Sequence, residues 1–321
     1  MSVIKGRKAA MEAVDRLRKH RVSMAIFCTA SHWNTEAILL AAKRYAEKRG
    51  IRQIPLAVAM TFRYAHMPQA ERATHSRDAK TGFLSVMRHL QTLCGDEDSP
   101  YGSVAVLPHL DHADPARDVW ALTEGLPWLA SVMFDAQRYP EQENLALTAD
   151  YVRKYGNDVL VEGILEQLAV CGGPRARQAD AYVDKAVDYV ARTGIDFLVA
   201  DLGTEQQSAQ AGGCQYLAER ANALTERLGR PMLVLHGTSS LTERQMGTLA
   251  QDGVIRVNMW TRIVRESGQY AAGRLIDRGG RIAAGDFEAV ESRQYLDDSI
   301  DCAADVMERT LDTLGYGRLA E

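Results

Sequence analysis

Apolar residues fall along this chain in two alternating kinds of run. Short, nearly unbroken stretches recur at 23–30 (SMAIFCTA), 53–60, 103–110, 128–136, 158–163, 195–201, 231–237 and 254–260. Continuous apolar runs of this length predict strands buried on both faces, as in a parallel sheet. Between them lie longer stretches whose apolar residues recur every three or four positions, the spacing of an amphipathic helix. The first, NTEAILLAAKRYAEKRG (34–50), has Asn34 as its expected N-terminal cap and Gly50 as its stop. Comparable stretches follow at 80–93, 115–125, 140–156, 179–194, 214–229, 241–253 and 261–277.

Eight strands, each followed by a helix, over roughly 250 residues is the arithmetic of a (β/α)8 TIM barrel. A doubly wound open sheet is the competing α/β architecture, but it calls for a glycine-rich phosphate loop after the first strand. Here that turn is CTASHWNTE (28–36), without a glycine. No Pro, Gly or Ser linker divides the chain. The expectation is one domain: an N-terminal helix over 1–21, the barrel over 22–280 and a helical extension over 281–321.

Composition narrows the picture by exclusion. The 321 residues carry a formal net charge of −4 and no recurring basic cluster, which argues against a nucleic-acid partner. No apolar run approaches the roughly 18 residues of a membrane span. The first 21 residues lack the apolar core of a signal peptide. Five scattered cysteines (Cys28, Cys94, Cys171, Cys214, Cys302) form no CxxC pair, which suits free thiols in a reducing compartment. A cytoplasmic location is expected.

In a (β/α)8 barrel the chemistry gathers where the strands end. In this sequence those ends carry His109, Asp111 and His112 (PHLDH), then Asp135, Glu162, the run Asp201 to Gln206, His236, and Asn258 with Thr261. His112 and His236 can bind a divalent metal through imidazole nitrogen. A third ligand can come from Glu205, Gln206, Glu162 or Glu166. An open position would leave the metal to polarise a carbonyl, with Asp111 beside it as acid–base group. The plain alternative for HLDH is a hydrogen-bonded strand end. The turn LVLHGTSS (233–240) allows a phosphate cradle from Gly237 and Ser239, helped by Thr261, or an ordinary strand-to-helix turn.

Six collinear stretches resemble the class II, metal-dependent fructose-bisphosphate aldolases. They are FCTASHWNTEAILLAA, VLPHLDHADPARD, LASVMFDAQRYPEQENLALT, VLVEG, RTGIDFLVADLGT and PMLVLHGTSSLTERQMGTLAQDGVIRVNMWT. The resemblance covers about residues 22 to 280 and implies a TIM barrel. It implies Asp111 as catalytic carboxylate, His112 and His236 as metal ligands, and Asn258 near the substrate carbonyl. Gly237, Ser239 and Thr261 match phosphate-holding positions, and Asn34 of the Asn-x-Glu is taken with them as a substrate contact. The Glu143–Asn144 pair reads as structural.

Departures from the family pattern are as informative. Gln206 stands where the family has its third metal-binding histidine. Ile164 replaces the second Glu after the fifth strand, Thr238 replaces a glycine, and the family's lysine loop is not recognisable in 208–216. Amide oxygen is a poor zinc ligand, so Glu205 or Glu162 is expected to complete the site. The metal expected is Zn²⁺, with Mn²⁺, Co²⁺ or Mg²⁺ as alternatives. The implied function is a lyase cleaving a ketose or ketose-phosphate-like substrate through a metal-stabilised enediolate, with Glu166 or Tyr139 as proton donor. An epimerase or isomerase sharing that chemistry, or a catalytically silent sugar-binding paralogue, are the alternatives. A homodimer or homotetramer is expected. The loop after the second strand carries Arg63, His66, Arg72, His75 and Arg77, facing either an anionic substrate or solvent.

Overall fold

Eight parallel strands close on themselves in the computed structural model, which describes residues 2–170, 181–208 and 216–320. They are β1 (Met24–Cys28), β2 (Ile54–Thr61), β3 (Val104–Ala113), β4 (Ser131–Phe134), β5 (Leu160–Ile164), β6 (Phe197–Val199), β7 (Leu233–Leu235) and β8 (Val254–Met259). Each pairs with its neighbours in sequence, and β8 returns to β1 through Met24 opposite Arg256 and Ile26 opposite Asn258. Every strand residue is buried. That is why the strands read as unbroken apolar runs rather than as alternating ones: the barrel interior takes one face and the helices cover the other.

All eight expected strands form. Their ends differ by a few residues, and β3 differs most usefully, running past Leu110 to Ala113. The helix after β1 spans His32–Arg49 and is capped by Ser31, whose side chain accepts from the Asn34 backbone N–H. Asn34 therefore lies inside the first turn and is not the cap. The expected stop at Gly50 stands, with a left-handed φ of 69°. The stretch 115–125 forms only the single turn Val119–Leu122, and a 3₁₀ turn, Leu126–Trp128, follows it. Trp120 from this segment stacks on Phe62 at 5.8 Å.

Helices outside the repeat are present at both ends. Arg7–Lys19 buries Ala10, Val14 and Leu17 against the barrel. At the other end, Ser292–Thr313 packs along His32–Arg49 and Thr261–Asp277. Beyond it, the Tyr316 hydroxyl accepts from the Ala25 N–H and donates to the Pro55 carbonyl, tying the tail to β1 and β2. No helix among the described residues is long and apolar enough to cross a membrane. Cys28, Cys94 and Cys302 are free thiols. Cys171, Cys214 and most of the stretch 208–216 lie outside the described residues.

Candidate active site

Along an ideal strand Asp111 and His112 would face opposite sides of the sheet. Both lie at the mouth of the barrel because β3 breaks its register there. Its pairing with β4 shifts between Leu110 and Ala113, and His112 adopts a φ of 47°. A non-glycine residue in the left-handed region costs roughly 1–2 kcal/mol. The barrel tolerates that local cost, and the result is that consecutive side chains converge.

His236 arrives from just beyond β7. Its ring meets that of His112 edge-to-face, with centroids 4.9 Å apart. One ligand atom from each of Asp111, His112 and His236 lies within 4.8 Å of the other two, and all three residues are buried. The His112 Nδ1 pairs with Asp135 Oδ2 at 2.7 Å, while Asp135 also accepts from the Gln137 N–H and side-chain amide. A carboxylate holding one imidazole nitrogen fixes the ring and leaves the other nitrogen toward the cavity.

The electrostatics of the group are mutual. Burial pushes the Asp111 carboxyl up, but His112, His236, His109 and the Asn258 amide outweigh it and hold it below its usual value. Burial pulls His112 down, but Asp111 and Asp135 more than reverse that. For His236 burial wins, lowering it to about 4, so that ring is neutral near pH 7 with a free lone pair.

Asp111 Oδ1, His236 Nε2, Asn258 Nδ2 and Gln206 Nε2 are all buried without a hydrogen-bond partner. Buried polar atoms are rarely left so. All four residues line one cavity, with Cys28, Thr61, Tyr64, Met67, Gln69, His112, Gln207, Gly237, Thr238, Ser239, Trp260 and Thr261. Two imidazoles and a carboxylate whose ligand atoms converge, with Asp111 Oδ1 and His236 Nε2 unpartnered, suit a divalent cation, so the donor set fits the metal implied by the sequence.

Gln206 reaches the cavity on a stitched loop. Its N–H donates to the Ala169 carbonyl, Thr204 Oγ1 donates to the His236 carbonyl, and the N–H groups of Glu205 and Ser208 donate to Ser240 and Ser239. Gly237 makes this possible: its φ is 76°, and a Cβ there would lie 2.7 Å from the Glu205 backbone. Ser239, expected to help cradle phosphate, is engaged within the protein, as are its neighbours Thr238 and Ser240. Ser239 Oγ accepts from Ser208, Thr238 Oγ1 donates to the Asn258 carbonyl, and Ser240 Oγ donates to the Gly237 carbonyl.

The remaining expected site residues lie elsewhere. Glu162 is fully buried, with Oε1 2.9 Å from Arg256 Nε and Oε2 3.7 Å from His109 Nε2. Neither Glu162 nor Glu205 belongs to the convergent set or lines the cavity. Glu166 sits half-buried among Lys185, Asp201, Glu141 and Arg220, its carboxyl pushed up mainly by burial. It does not line the cavity, and neither does Tyr139, whose hydroxyl accepts from Arg138. Asn34 is buried, its Oδ1 accepting from Ser31 Oγ, also away from the lining. Glu143 and Asn144 open the helix Glu141–Tyr155, and Asn144 is buried, its Nδ2 donating to the Ile164 carbonyl.

Three residues escape sequence reasoning. Asp135 was visible as a strand end but without its imidazole partner. Tyr64, in the loop after β2, lies parallel to His112 with centroids 4.2 Å apart and planes 7° from parallel. Cys28 read only as a free thiol.

Residues 8–317 match the family model of class II fructose-bisphosphate aldolase. A 6-phospho-5-dehydro-2-deoxy-D-gluconate aldolase of Bacillus velezensis is 33% identical over 204 residues, 59% of this chain and 66% of that protein. A fructose-bisphosphate aldolase of Streptococcus pneumoniae is 26% identical over 231 residues, 66% of this chain and 72% of that protein. Among solved structures, a fructose-bisphosphate aldolase of Campylobacter jejuni superposes with a TM-score of 0.77 at 17% identity, covering 98% of this chain and 95% of its own. The YdjI aldolase of Escherichia coli does so with 0.65 at 20% identity, covering 97% of this chain and 98% of its own. Similarity at that level speaks for the fold alone.

Proposed function

Since the chain belongs to the class II fructose-bisphosphate aldolase family, we propose that it is a divalent-metal-dependent lyase that breaks a carbon–carbon bond of a ketose-like substrate by retro-aldol cleavage. The observation that carries this is the convergence of Asp111, His112 and His236 within 4.8 Å at the mouth of the barrel.

His112 and His236 would hold the ion with Asp111 beside them, and Gln206 offers an amide from the position where the family has its third histidine. Zn²⁺ is the first choice for two imidazoles, with Mn²⁺, Co²⁺ and Mg²⁺ as alternatives. When bound, the metal supplies Lewis acidity toward the substrate carbonyl. The protein supplies the rest. Asp111 accepts the proton of the hydroxyl one carbon beyond the scissile bond, and its lowered pKa keeps it ionised to do so. Asn258 Nδ2, buried and without a partner, donates to the oxygen on which charge develops. Asp135 holds the His112 ring against rotation. Tyr64 covers the other face of that ring and keeps water from it.

The lining favours a neutral polyol chain at the mouth over a phosphate. Tyr64, Met67 and Trp260 offer apolar surface for carbohydrate C–H groups, and no Lys or Arg lines the cavity among the described residues. Gly237, Ser239 and Thr261 then shape the cavity and contact hydroxyls. A homodimer or homotetramer remains part of the proposal: Ile276 and Phe287 on the C-terminal helices are 79% and 76% exposed, and light scattering reads the mass directly.

Metal-free protein reloaded with Zn²⁺, Mn²⁺ or Co²⁺ and offered a panel of ketoses and ketose phosphates should release two smaller carbonyl compounds. Asp111→Asn should lower the rate about 10²–10⁴-fold. A new sugar of unchanged carbon number points instead to an epimerase or isomerase. Full retro-aldol activity in Asp111→Asn contradicts the proposal.

A further inference from the structure

The end of β1 carries a thiol where the proposed chemistry takes place. Cys28 is buried, and its Sγ lies 2.9 Å from Asn258 Oδ1 and 3.8 Å from Asp111 Oδ2. The approach is dictated by the barrel. β1 lies beside β8 with Ile26 opposite Asn258, and on its other side beside β2, whose Thr61 is opposite Asp111 on β3. Cys28, two residues beyond Ile26, is thereby set between the amide and the carboxylate.

The chemistry of that contact is directional. The Cys28 Sγ is placed to donate to Asn258 Oδ1, an amide oxygen being a far better acceptor than sulfur. A donor beside the Asn258 side chain selects the rotamer that turns the carbonyl end toward sulfur. The –NH₂ end is then the one left over. It is buried and makes no full hydrogen bond, standing near enough to Asp111 to help hold that carboxyl down, on a residue that lines the cavity. In the opposite orientation the amide would find only the weakly accepting sulfur to donate to, and the cavity would receive an acceptor, which repels developing negative charge.

We propose that Cys28 is a positioning residue, whose S–H orients the Asn258 amide so that its –NH₂ faces the substrate oxygen, while standing within reach of Asp111. This rests on the retro-aldol reading, because it is that reaction which makes the amide's orientation matter. It gives the thiol a role in turnover without any bond to substrate or metal.

The test is exchange of the α-protons of dihydroxyacetone and of dihydroxyacetone phosphate in D₂O, followed by proton NMR with zinc-loaded protein. Wild type is compared with Cys28→Ser, Cys28→Ala and Cys28→Val. Serine keeps a donor, whereas alanine and valine lack one, and valine restores volume. The expected result is near wild-type kcat in Cys28→Ser and a kcat reduced about tenfold or more in both Cys28→Ala and Cys28→Val, with KM within about twofold. Zinc stoichiometry and melting temperature are measured on each variant, and are expected to be alike in Cys28→Ser and Cys28→Val. Equal kcat in all four proteins overturns the positioning role. So does a loss in Cys28→Ser as large as in Cys28→Val, which would make the site one of packing. No exchange by zinc-loaded wild type with either ketone, together with no cleavage anywhere in the ketose panel, overturns the retro-aldol reading itself, a different failure from the other two.

Discussion

Two buried clusters of charge lie one above the other in this barrel, and they are built to opposite ends. The lower one joins Glu162, Arg256, His109 and Ser131, all completely buried. The upper one joins Asp111, His112, His236 and Asp135. The two are linked by strand geometry: His109 precedes Asp111 by two residues on β3, and Arg256 precedes Asn258 by two on β8. Each step of two is about 6.6 Å along a strand and returns to the same face. The lower cluster lines no part of the cavity, although Glu162 Oε1 and Oε2, Arg256 Nε and Nη1 and His109 Nε2 also make no hydrogen bond. Arg256 Nε faces Glu162 Oε1 at 2.9 Å, Arg256 Nη2 donates to Ser131 Oγ, and the same hydroxyl meets His109 Nδ1 at 2.8 Å. The upper cluster is left open, with unpartnered atoms on Asp111, His236, Asn258 and Gln206 around a cavity. Burial of charge is therefore not itself the mark of a reactive site. Nor is an unpartnered atom, since both clusters have them; what distinguishes the upper cluster is that its residues line a cavity.

The largest expected effect breaks the lower cluster. Arg256→Met leaves Glu162 buried beside no cation and should destabilise the fold by about 3–5 kcal/mol, read by denaturant titration. Glu162→Met/Arg256→Met should recover most of that loss, because a well-packed apolar pair replaces a desolvated ion pair at little net cost. A single variant as stable as wild type contradicts the description of this cluster as interdependent. The next effect belongs to the upper cluster. Zn²⁺ at about a hundred times its Kd should raise the stability of wild type by about 2.7 kcal/mol. The Glu162→Met/Arg256→Met protein should show the same increment, and His236→Ala should not. An increment lost from the double variant and kept in His236→Ala would reverse the roles given to the two clusters.

The smallest effect concerns the kink that brings Asp111 and His112 together. With φ at 47°, position 112 should accept Asn better than Val, by about 1 kcal/mol of stability, since a β-branched side chain resists the left-handed region. Equal stability of His112→Asn and His112→Val would remove the strain from the account.

The sequence carried the architecture well because parallel buried strands announce themselves as apolar runs, and eight of them with intervening helices leave few alternatives. It also singled out Asp111, His112, His236 and Asn258, because strand ends are where this fold concentrates polar residues. What it could not carry were relations between strands. The pairing of Glu162 with Arg256 depends on β5 and β8 facing the same interior layer, and neither residue's neighbours in sequence hint at it. The partnership of His112 with Asp135 depends on a register shift that no local pattern encodes. Asn34 was misplaced by three residues because Ser31 offers an equally good capping side chain, and only the backbone decides between them. Tyr64 and Cys28 have ordinary core and loop chemistry in isolation, and acquire significance only from what they touch.

Calorimetric titration of Zn²⁺ into metal-free wild type, His112→Ala, His236→Ala and Glu162→Met/Arg256→Met tests the central claim most directly. The account predicts one site per chain in wild type, the same site in the double variant, and its loss in both histidine variants. Binding that survives His112→Ala and His236→Ala but disappears with Glu162 would contradict it.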